Sequence, residues 1–230
     1  MSRIPCHLVD ITPLCDTVFR IRLKPATPLA FEAGQYLLIV MDEADKRPFS
    51  IASKPGDAHI ELHIGAAVAE SYATQVLERL KADDSIEIEA PFGAAQLRND
   101  TERPRILIAG GTGFSYIHSL VETLIALGDQ QTTFIYWGCR DNASMYLRQR
   151  AEHWLTQHPA LRFVPVFDTP IEGERQGTVL DAVCDDFVSL HDYDVYIAGR
   201  FEMAGTARER FRTLGIDEAH LFGDAYAYMK

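Results

Sequence analysis

Three glycines within four residues are the first feature of this chain that can do chemistry. They occur in the sequence GGTG (110–113), between the apolar run ILIA (106–109) and a helical pattern that ends at Gly128. Glycine lets a backbone turn tightly and approach a ligand closely, and the start of a helix attracts anions. The turn therefore predicts a site for the pyrophosphate of a dinucleotide, although its spacing differs from G-x-G-x-x-G. A ligand-free turn between strand and helix is the alternative.

Two further strand ends carry residues that suit the same ligand. Gly138, Cys139 and Arg140 follow a second apolar run, where a dinucleotide site often has an acidic residue for the ribose. Arg140 suits a 2′-phosphate or the adenosine half of the ligand, or else it is a solvated loop residue. In YIAGRFEM (196–203), Gly199 again directly precedes a helical pattern. This third signal is weak alone, because a plain strand–helix turn explains it equally well.

The motif RPFSIAS (47–53) combines a cation, an aromatic ring and hydroxyl groups within seven residues. Phe49 beside small polar side chains suits a flat ring system, and Arg47 suits an electron-rich or anionic partner. An ordinary strand with alternating side chains explains the pattern at least as well. The motif therefore stays a candidate until other residues support it.

Cysteine spacing and charge exclude several classes of function. The four cysteines form neither a C-x-x-C pair nor an iron–sulfur pattern, so no metal site is predicted, and they fit a reducing cytoplasm. The net charge of −11 argues against nucleic acid or an anionic membrane as a partner. No signal segment is apparent at the N-terminus and no apolar run approaches membrane-spanning length, so no membrane association is expected.

The elements that must position these residues change character near residue 98. Before it, short alternating runs predict an antiparallel barrel with one helix at 70–82. The predicted strands are 17–23, 34–41, 59–65 and 85–91. After it, strand-like and helical runs alternate, which predicts a parallel sheet with helices on both faces. The later strands are predicted at 106–109, 133–138, 161–167, 193–199 and 220–226, and the helices near 115–127, 143–157, 178–188 and 202–213.

The polar, proline-containing stretch 98–104 separates the two patterns. It predicts a domain at 1–98 and a second domain at 104–230. The expected fold class is therefore a two-domain arrangement of a β domain followed by an α/β domain.

Seven segments in order carry a resemblance to a known family. RPFS resembles the R-x-[YF]-S flavin motif of the ferredoxin–NADP reductase superfamily, and GGTG is similar to its pyridine-nucleotide turn. AGRFEM stands where many members have C-G-P-x-x-M. The ordered segments are GQYL, KRPFSIAS, ELHIGA, IAGGTGFSY, IYWGCR, VYIAGRFEM and LFGDA. The chain is identified as a member of this superfamily, most similar to the small bacterial NAD(P)H:flavin oxidoreductases that include the flavin reductase of the luminescence system.

The resemblance implies a six-stranded antiparallel flavin-binding barrel, a five-stranded parallel NAD(P)-binding domain and a flavin ring between them. The residues that it assigns to flavin binding are Arg47, Pro48, Phe49, Ser50, His63, Ile64, Gly65, Ala66 and Thr112. Those that it assigns to the nicotinamide nucleotide are Gly110, Gly111, Thr112, Gly113, Phe114, Arg140, Gly199, Arg200, Phe201 and Met203. His63 taken alone is more typical of a packed strand histidine. Ser71 is either a contact of the flavin phosphate or a helix cap.

The implied reaction is hydride transfer from the nicotinamide C4 of NADH or NADPH to flavin N5. Ser50 and Arg47 are the catalytic candidates: Ser50 hydrogen-bonds near N5, and Arg47 supports negative charge on the reduced ring. Phe49 replaces the usual tyrosine, which suggests weak flavin binding, and Ala198 replaces a cysteine often found beside the nicotinamide. No basic cluster follows HIGAAVAE (63–70) to bind phosphate and adenine. Riboflavin, FMN or FAD is therefore expected as a diffusing substrate.

Several alternatives stay open at this point. Reduced flavin would pass to oxygen, a ferric complex or a flavin-dependent monooxygenase. A rival is a reductase with bound FAD that passes electrons to a protein, and another is a non-catalytic nucleotide-binding or electron-transfer subunit. The sequence leaves open the preferred flavin, the preferred nicotinamide, the acceptor and the oligomeric state.

Overall fold

The computed structural model describes residues 3–66 and 71–229, and the chain forms two compact units. The first unit runs to Leu97 and includes His118–Thr123, and the second comprises Arg98–Ile117 and the chain from Leu124 onward. Residues 67–70, which belong to the segment HIGAAVAE and include the first residue of the predicted helix 70–82, lie outside the described residues.

An antiparallel sheet of six strands forms the first unit, in the order β4-β3-β6-β1-β2-β5. Ala52 N donates to Glu61 O at 2.7 Å, and Glu61 N donates to Ser53 Oγ at 3.0 Å. These two bonds join the residues that follow β4 to β5. Because β4 and β5 are the outer strands of the sheet, the bonds close it into the predicted barrel. The elements are β1 (Ile4–Cys15), β2 (Val18–Pro25), β3 (Tyr36–Val40), β4 (Lys46–Ser50), β5 (Ile60–Gly65), α1 (Tyr72–Asp83) and β6 (Ser85–Phe92).

Alternation of side chains explains why these strands form where they do. Ile21 and Leu23 of β2 and Leu62 and Ile64 of β5 are fully buried, and α1 adds Val76 to the same core. Burying each such side chain stabilises the fold by about 1.5–3 kcal/mol. β1 has no such signal, because only one of its residues is buried and its pairing with β2 shifts register twice.

Ser71 starts α1 as its N-cap. The Ser71 hydroxyl oxygen accepts a hydrogen bond from Thr74 N at 3.2 Å, which satisfies one of the backbone donors that a helix start leaves unpaired. The helix ends at Asp83, and Asp84 is its C-cap, with a left-handed φ of +51° and an N–H that donates to Leu80 O.

A parallel sheet of six strands forms the second unit, in the order β10-β9-β8-β7-β11-β12. All five predicted strands are present, but the one predicted at 220–226 is limited to Leu221–Phe222 and is followed by a 3₁₀ turn at Asp224–Tyr228. The sixth, β10, has two residues and is too short to produce a sequence pattern. The strands are β7 (Arg105–Gly110), β8 (Thr133–Cys139), β9 (Leu161–Phe167), β10 (Arg175–Gln176), β11 (Asp194–Ala198) and β12 (Leu221–Phe222). The helices are α2 (Phe114–Leu127), α3 (Arg148–Gln157), α4 (Val179–Asp186) and α5 (Phe201–Thr213).

Both faces of this sheet are covered, as expected for parallel strands with near-continuous apolar runs. Ile106 and Ile108 of β7 share a core with Val183 of α4 and Phe211 of α5. On the other face, Trp137 of β8 stacks against the first residue of α2. No helix within the described ranges is long and apolar enough to cross a membrane.

Candidate active site

The three strand ends singled out in the sequence meet at one edge of the parallel sheet. Ala109 pairs with Ala198 in β11, and Gly110 pairs with Gly138 in β8, so the carboxyl ends of β7, β8 and β11 are neighbours. The chain then forms a single 3₁₀ turn over Gly111–Gly113 and enters α2 at Phe114. Ligands of open parallel sheets bind at this edge.

The glycines at this edge of the sheet are needed for different structural reasons. Gly111 has a left-handed φ of +53°, is exposed, and has open space around the position of a Cβ. A Cβ on Gly110 would lie 2.8 Å from Met203 Sδ, and one on Gly199 would lie 2.5 Å from Met203 Cε. A Cβ on Gly113 would overlap the carbonyl oxygen of Ala198. Gly111 therefore offers the close approach expected for a ligand, while the other three glycines permit internal packing.

Thr112 and Phe114 face opposite sides of the turn. Thr112 is exposed, whereas the Phe114 ring is fully buried and stacks on Trp137 with centroids 3.6 Å apart and planes at 4°. A nucleotide contact at position 114 would consequently come from the backbone of the helix start, and this assignment stays a prediction.

Arg140 stands at the end of β8 beside a carboxylate that the sequence reasoning missed. The Arg140 side chain is 76% exposed, and its Nε lies 3.0 Å from Asp141 Oδ2. Asp141 Oδ1 accepts bonds from the Ser144 hydroxyl at 2.6 Å and the Ser144 N–H at 2.9 Å. Hydrogen bonds from Ser144 and Arg140 lower the pKa of Asp141 to about 2. The sequence carried one signal for this contact, since Asp141 stands three residues before Ser144, which is the spacing of a helix-capping motif.

The start of α5 presents a cation and an aromatic ring at the end of β11. Arg200 is exposed and precedes the helix as its N-cap, and Phe201 is 56% exposed with its ring 6.2 Å from that of Tyr228. Met203, two residues further along α5, is half-buried against the glycines. Arg200 and Phe201 therefore have surface available to a ligand.

In the barrel, Arg47 is held by partners of its own. Its guanidinium donates to Asp45, to Tyr72 O at 2.5 Å and to Gln75 Oε1 at 2.7 Å. These bonds connect β4 with Asp45 in the loop before it and with the first turn of α1. The charge of Arg47 is thus balanced by Asp45, a relationship that the motif did not reveal.

The other residues of the RPFS motif present a mixed surface. Pro48 is exposed, and Phe49 and Ser50 are half-buried, with the Phe49 ring 5.8 Å from that of Tyr72. Within residues 3–66 and 71–229, the Ser50 hydroxyl makes no hydrogen bond. Its hydrogen bond to a flavin ring stays a prediction.

His63 lies on the opposite face of β5 from the core residues Leu62 and Ile64, with its ring centroid 5.3 Å from that of His118. Its side chain is fully buried, and Nε2 lies 2.9 Å from Glu61 Oε1. Burial lowers the pKa of His63 to about 4, so the ring is neutral near pH 7 and Nε2–H donates to the carboxylate. The flavin contact predicted for 63–66 therefore rests on the backbone and on the half-buried Gly65 and Ala66, and it stays a prediction.

The same region brings possible metal ligands together. Glu61, His63 and His118 each place one ligating atom within 4.8 Å of the others. His118 Nδ1 donates to Ala52 O at 2.8 Å, and Arg20 pairs with His63 across β2 and β5. The contacts among these side chains are those of a hydrogen-bonded network, because His63 donates to Glu61 and His118 donates to the Ala52 carbonyl.

Comparison with known proteins places both halves of the chain. Residues 5–97 match the oxidoreductase FAD-binding domain family, and residues 107–209 match the oxidoreductase NAD-binding domain family. The chain is 48% identical to NAD(P)H-flavin reductase of Aliivibrio fischeri and 45% identical to that of Vibrio harveyi, over 235 residues in each case. Each alignment covers 98% of this chain and 99% of the relative. The chain belongs to the NAD(P)H-flavin reductase family of the ferredoxin–NADP reductase superfamily.

A solved structure contains a region with the fold of this chain. The Amycolatopsis cytochrome P450 reductase GcoB superposes with a TM-score of 0.89 at 28% identity. The match covers 97% of this chain and 69% of that protein. The two-domain fold predicted from the motifs is therefore confirmed.

Proposed function

We propose that this chain is an NAD(P)H:flavin oxidoreductase that transfers a hydride from NAD(P)H to free flavin and releases reduced flavin. One observation carries the proposal: the chain is 45–48% identical, end to end, to proteins named NAD(P)H-flavin reductase. Two groups of residues suit that reaction. The turn at Gly111–Gly113 in one unit would bind a pyrophosphate, and Ser50 of β4 in the other unit offers a hydroxyl.

The residues at the edge of the parallel sheet fit a nicotinamide nucleotide. Gly111 and Thr112 are exposed at the start of α2, where unpaired backbone N–H groups favour a pyrophosphate. The exposed Arg140 and Phe201 offer a charge and a ring to the rest of the nucleotide. Ala198 carries no thiol, so this part of the site positions the nicotinamide without one.

The residues of β4 fit the edge of a flavin ring. With both substrates bound, nicotinamide C4 supplies the hydride and flavin N5 accepts it. The Ser50 hydroxyl would donate a hydrogen bond near the accepting atom and orient the ring. Arg47, already paired with Asp45, would act mainly by holding β4 against α1 and only secondarily by its charge.

The polar groups near the barrel motif favour flavin as a substrate over flavin as a resident group. Ser71 caps α1, and Arg47 is occupied by Asp45, Tyr72 and Gln75, so neither is free to hold a flavin phosphate. Phe49 lacks the hydroxyl of the usual tyrosine. A flavin that binds as a substrate in the micromolar range has a binding free energy about 4 kcal/mol weaker than a resident flavin bound in the nanomolar range.

Reduced flavin that leaves the protein would pass to oxygen, a ferric complex or a flavin-dependent monooxygenase. All four cysteines are free thiols, as expected in a reducing cytoplasm, and we place the reaction there. The alternative, a bound FAD with electrons passing to a protein, is favoured by the structural similarity to a cytochrome P450 reductase.

Oxidation of NADH and NADPH by the purified wild-type chain, with riboflavin, FMN or FAD added in turn, tests the proposal. We expect oxidation only when flavin is added, and a colourless protein after gel filtration. A protein that stays yellow and reduces an added protein acceptor would support the bound-FAD alternative. Absence of oxidation with every flavin would overturn the proposed function.

A further inference from the structure

Trp137 lies directly beneath the glycine turn. It is fully buried in β8, and its Nε1–H donates to the carbonyl oxygen of Gly111 at 2.9 Å. The indole also stacks on Phe114, the first residue of α2, with centroids 3.6 Å apart. The Gly111 carbonyl also accepts the N–H of Phe114 within the turn, so Trp137 adds a side-chain hydrogen bond to the backbone hydrogen bond that orients this carbonyl.

The hydrogen bond to Gly111 sets the direction of the next backbone donor. A trans peptide unit is planar, so the carbonyl of Gly111 and the N–H of Thr112 point in opposite directions. Because Trp137 holds the carbonyl inward, the Thr112 N–H points away from the core, on the exposed side of the turn. Gly111 has no side chain of its own to restrict rotation of this peptide, and its φ is left-handed.

We propose that Trp137 is a positioning residue for the nicotinamide nucleotide. Its indole N–H holds the Gly111 carbonyl inward and thereby aims the Thr112 N–H at the pyrophosphate. This inference rests on the proposed function, since it names how that site orients its substrate. A purely structural role would require the ring of Trp137 but not its N–H.

A variant that keeps the ring of Trp137 but lacks its N–H therefore tests the proposal. Replacing Trp137 with 3-benzothienylalanine keeps the shape of the ring and exchanges the N–H for sulfur, while Trp137→Phe shortens the ring as well. Trp154→Phe is the matched control, because Trp154 is buried in α3 with its ring 6.0 Å from Phe114 and lies outside the turn. Each variant is measured for KM and kcat with NADH, riboflavin affinity by fluorescence quenching, and melting temperature.

We expect the benzothienyl variant to raise the KM for NADH by roughly three- to tenfold, the effect of losing one neutral hydrogen bond. The kcat and riboflavin affinity should stay near wild type, the melting temperature should fall by only a few degrees because one buried hydrogen bond is lost, and Trp154→Phe should leave the KM unchanged. A wild-type KM in the benzothienyl variant would overturn the proposal, even if Trp137→Phe is impaired, because the ring alone would then account for the effect.

Binding of ADP-ribose, measured by calorimetry, separates this inference from the proposed function. ADP-ribose contains the pyrophosphate but no nicotinamide, so its affinity is independent of hydride transfer. Weaker ADP-ribose binding by the benzothienyl variant supports the role of Trp137 even if the wild type reduces no flavin. Unchanged ADP-ribose binding alongside normal wild-type activity overturns the inference and leaves the proposed function standing.

Discussion

The thioether of Met203 occupies the space that a side chain on Gly110 would need, with Sδ 2.8 Å from the position of a Cβ. Met203 Cε crowds Gly199 in the same way, at 2.5 Å. The glycines at the ends of β7 and β11 therefore allow α5 to pack close to the sheet. Their presence is explained by packing without a ligand, whereas Gly111 has open space around the position of a Cβ and is required by its left-handed φ of +53°.

Gly113→Ala should destabilise the chain more than Gly110→Ala. The added methyl at 113 meets the backbone carbonyl of Ala198, which has little freedom to move, while the methyl at 110 meets the flexible end of Met203. Overpacking of this kind costs about 1–3 kcal/mol, and we expect Gly113→Ala near the upper end. Urea unfolding gives the free energies. Equal losses, or a Gly110→Ala effect that Met203→Ala does not reduce, would contradict the packing explanation.

Gly111→Asn is the variant that separates ligand approach from backbone strain. Asparagine tolerates a left-handed φ, whereas a β-branched valine at +53° would be strained regardless of any ligand. We expect Gly111→Asn to raise the KM for NADH while riboflavin affinity and unfolding free energy stay near wild type. Gly111→Val should lose stability as well, by about 1–2 kcal/mol. Parallel loss of both substrates in the asparagine variant would mean that the turn is only structural.

Local sequence patterns predicted the strands, turns and helices that depend on residues close together in the chain. The alternation of Ile60, Leu62 and Ile64 gives β5, and the run 106–109 followed by GGTG gives a strand, a turn and a helix, all of which are present. β1 gives no such signal, because its few inward side chains are interrupted by register shifts.

Contacts between distant residues account for what the sequence did not predict. Arg47 reaches Gln75, 28 residues later, and His118 reaches the carbonyl of Ala52, 66 residues earlier. Nothing in either local pattern marks such a partner. The burial of His63 likewise depends on a distant residue, His118, whose ring contacts it. The motifs therefore named candidate residues, but the charge balance and direction of each needed the folded chain.

Arg140→Ala should lower the preference for NADPH relative to NADH. If Arg140 meets a 2′-phosphate, removing its charge weakens NADPH more, although high exposure and the nearby Asp141 reduce the effect to several-fold. Asp141→Asn should act in the opposite direction, since it removes the carboxylate but keeps a capping side chain for Ser144. The ratio of kcat/KM for the two nucleotides is the measurement. A ratio unchanged in both variants would remove Arg140 and Asp141 from the nucleotide site.

Acid should destabilise the chain through His63. The folded state keeps this ring neutral, with its pKa lowered from 6.5 to about 4 by burial, while the unfolded chain binds a proton below pH 6.5. Stability is therefore full above pH 6.5 and is lost as the pH falls toward 4, by a total on the order of 3 kcal/mol. Urea unfolding across this range should show a weaker pH dependence for His63→Gln, which keeps a donor for Glu61. The exposed His191→Gln is the control, and an equal slope in all three proteins would exclude His63 as the cause.

Ser50→Ala tests the role of the barrel in hydride transfer. If the hydroxyl orients the flavin or stabilises charge that develops near N5, it contributes more in the transition state than in the ground state. We expect the rate of flavin reduction to fall roughly tenfold or more, equivalent to about 1.4 kcal/mol. Riboflavin affinity should fall much less, because Phe49 and the strand still offer a stacking surface.

The measurement for Ser50 is single-turnover flavin reduction without oxygen, which separates hydride transfer from product release. Ser50→Thr keeps the hydroxyl but adds a methyl at a half-buried position, so it should retain part of the rate that alanine loses. Alanine and threonine variants that lose the rate equally would point to crowding or altered packing of β4. A wild-type rate in Ser50→Ala would mean that this serine is an ordinary strand residue, and the catalytic interpretation of the RPFS motif would then be wrong for this chain.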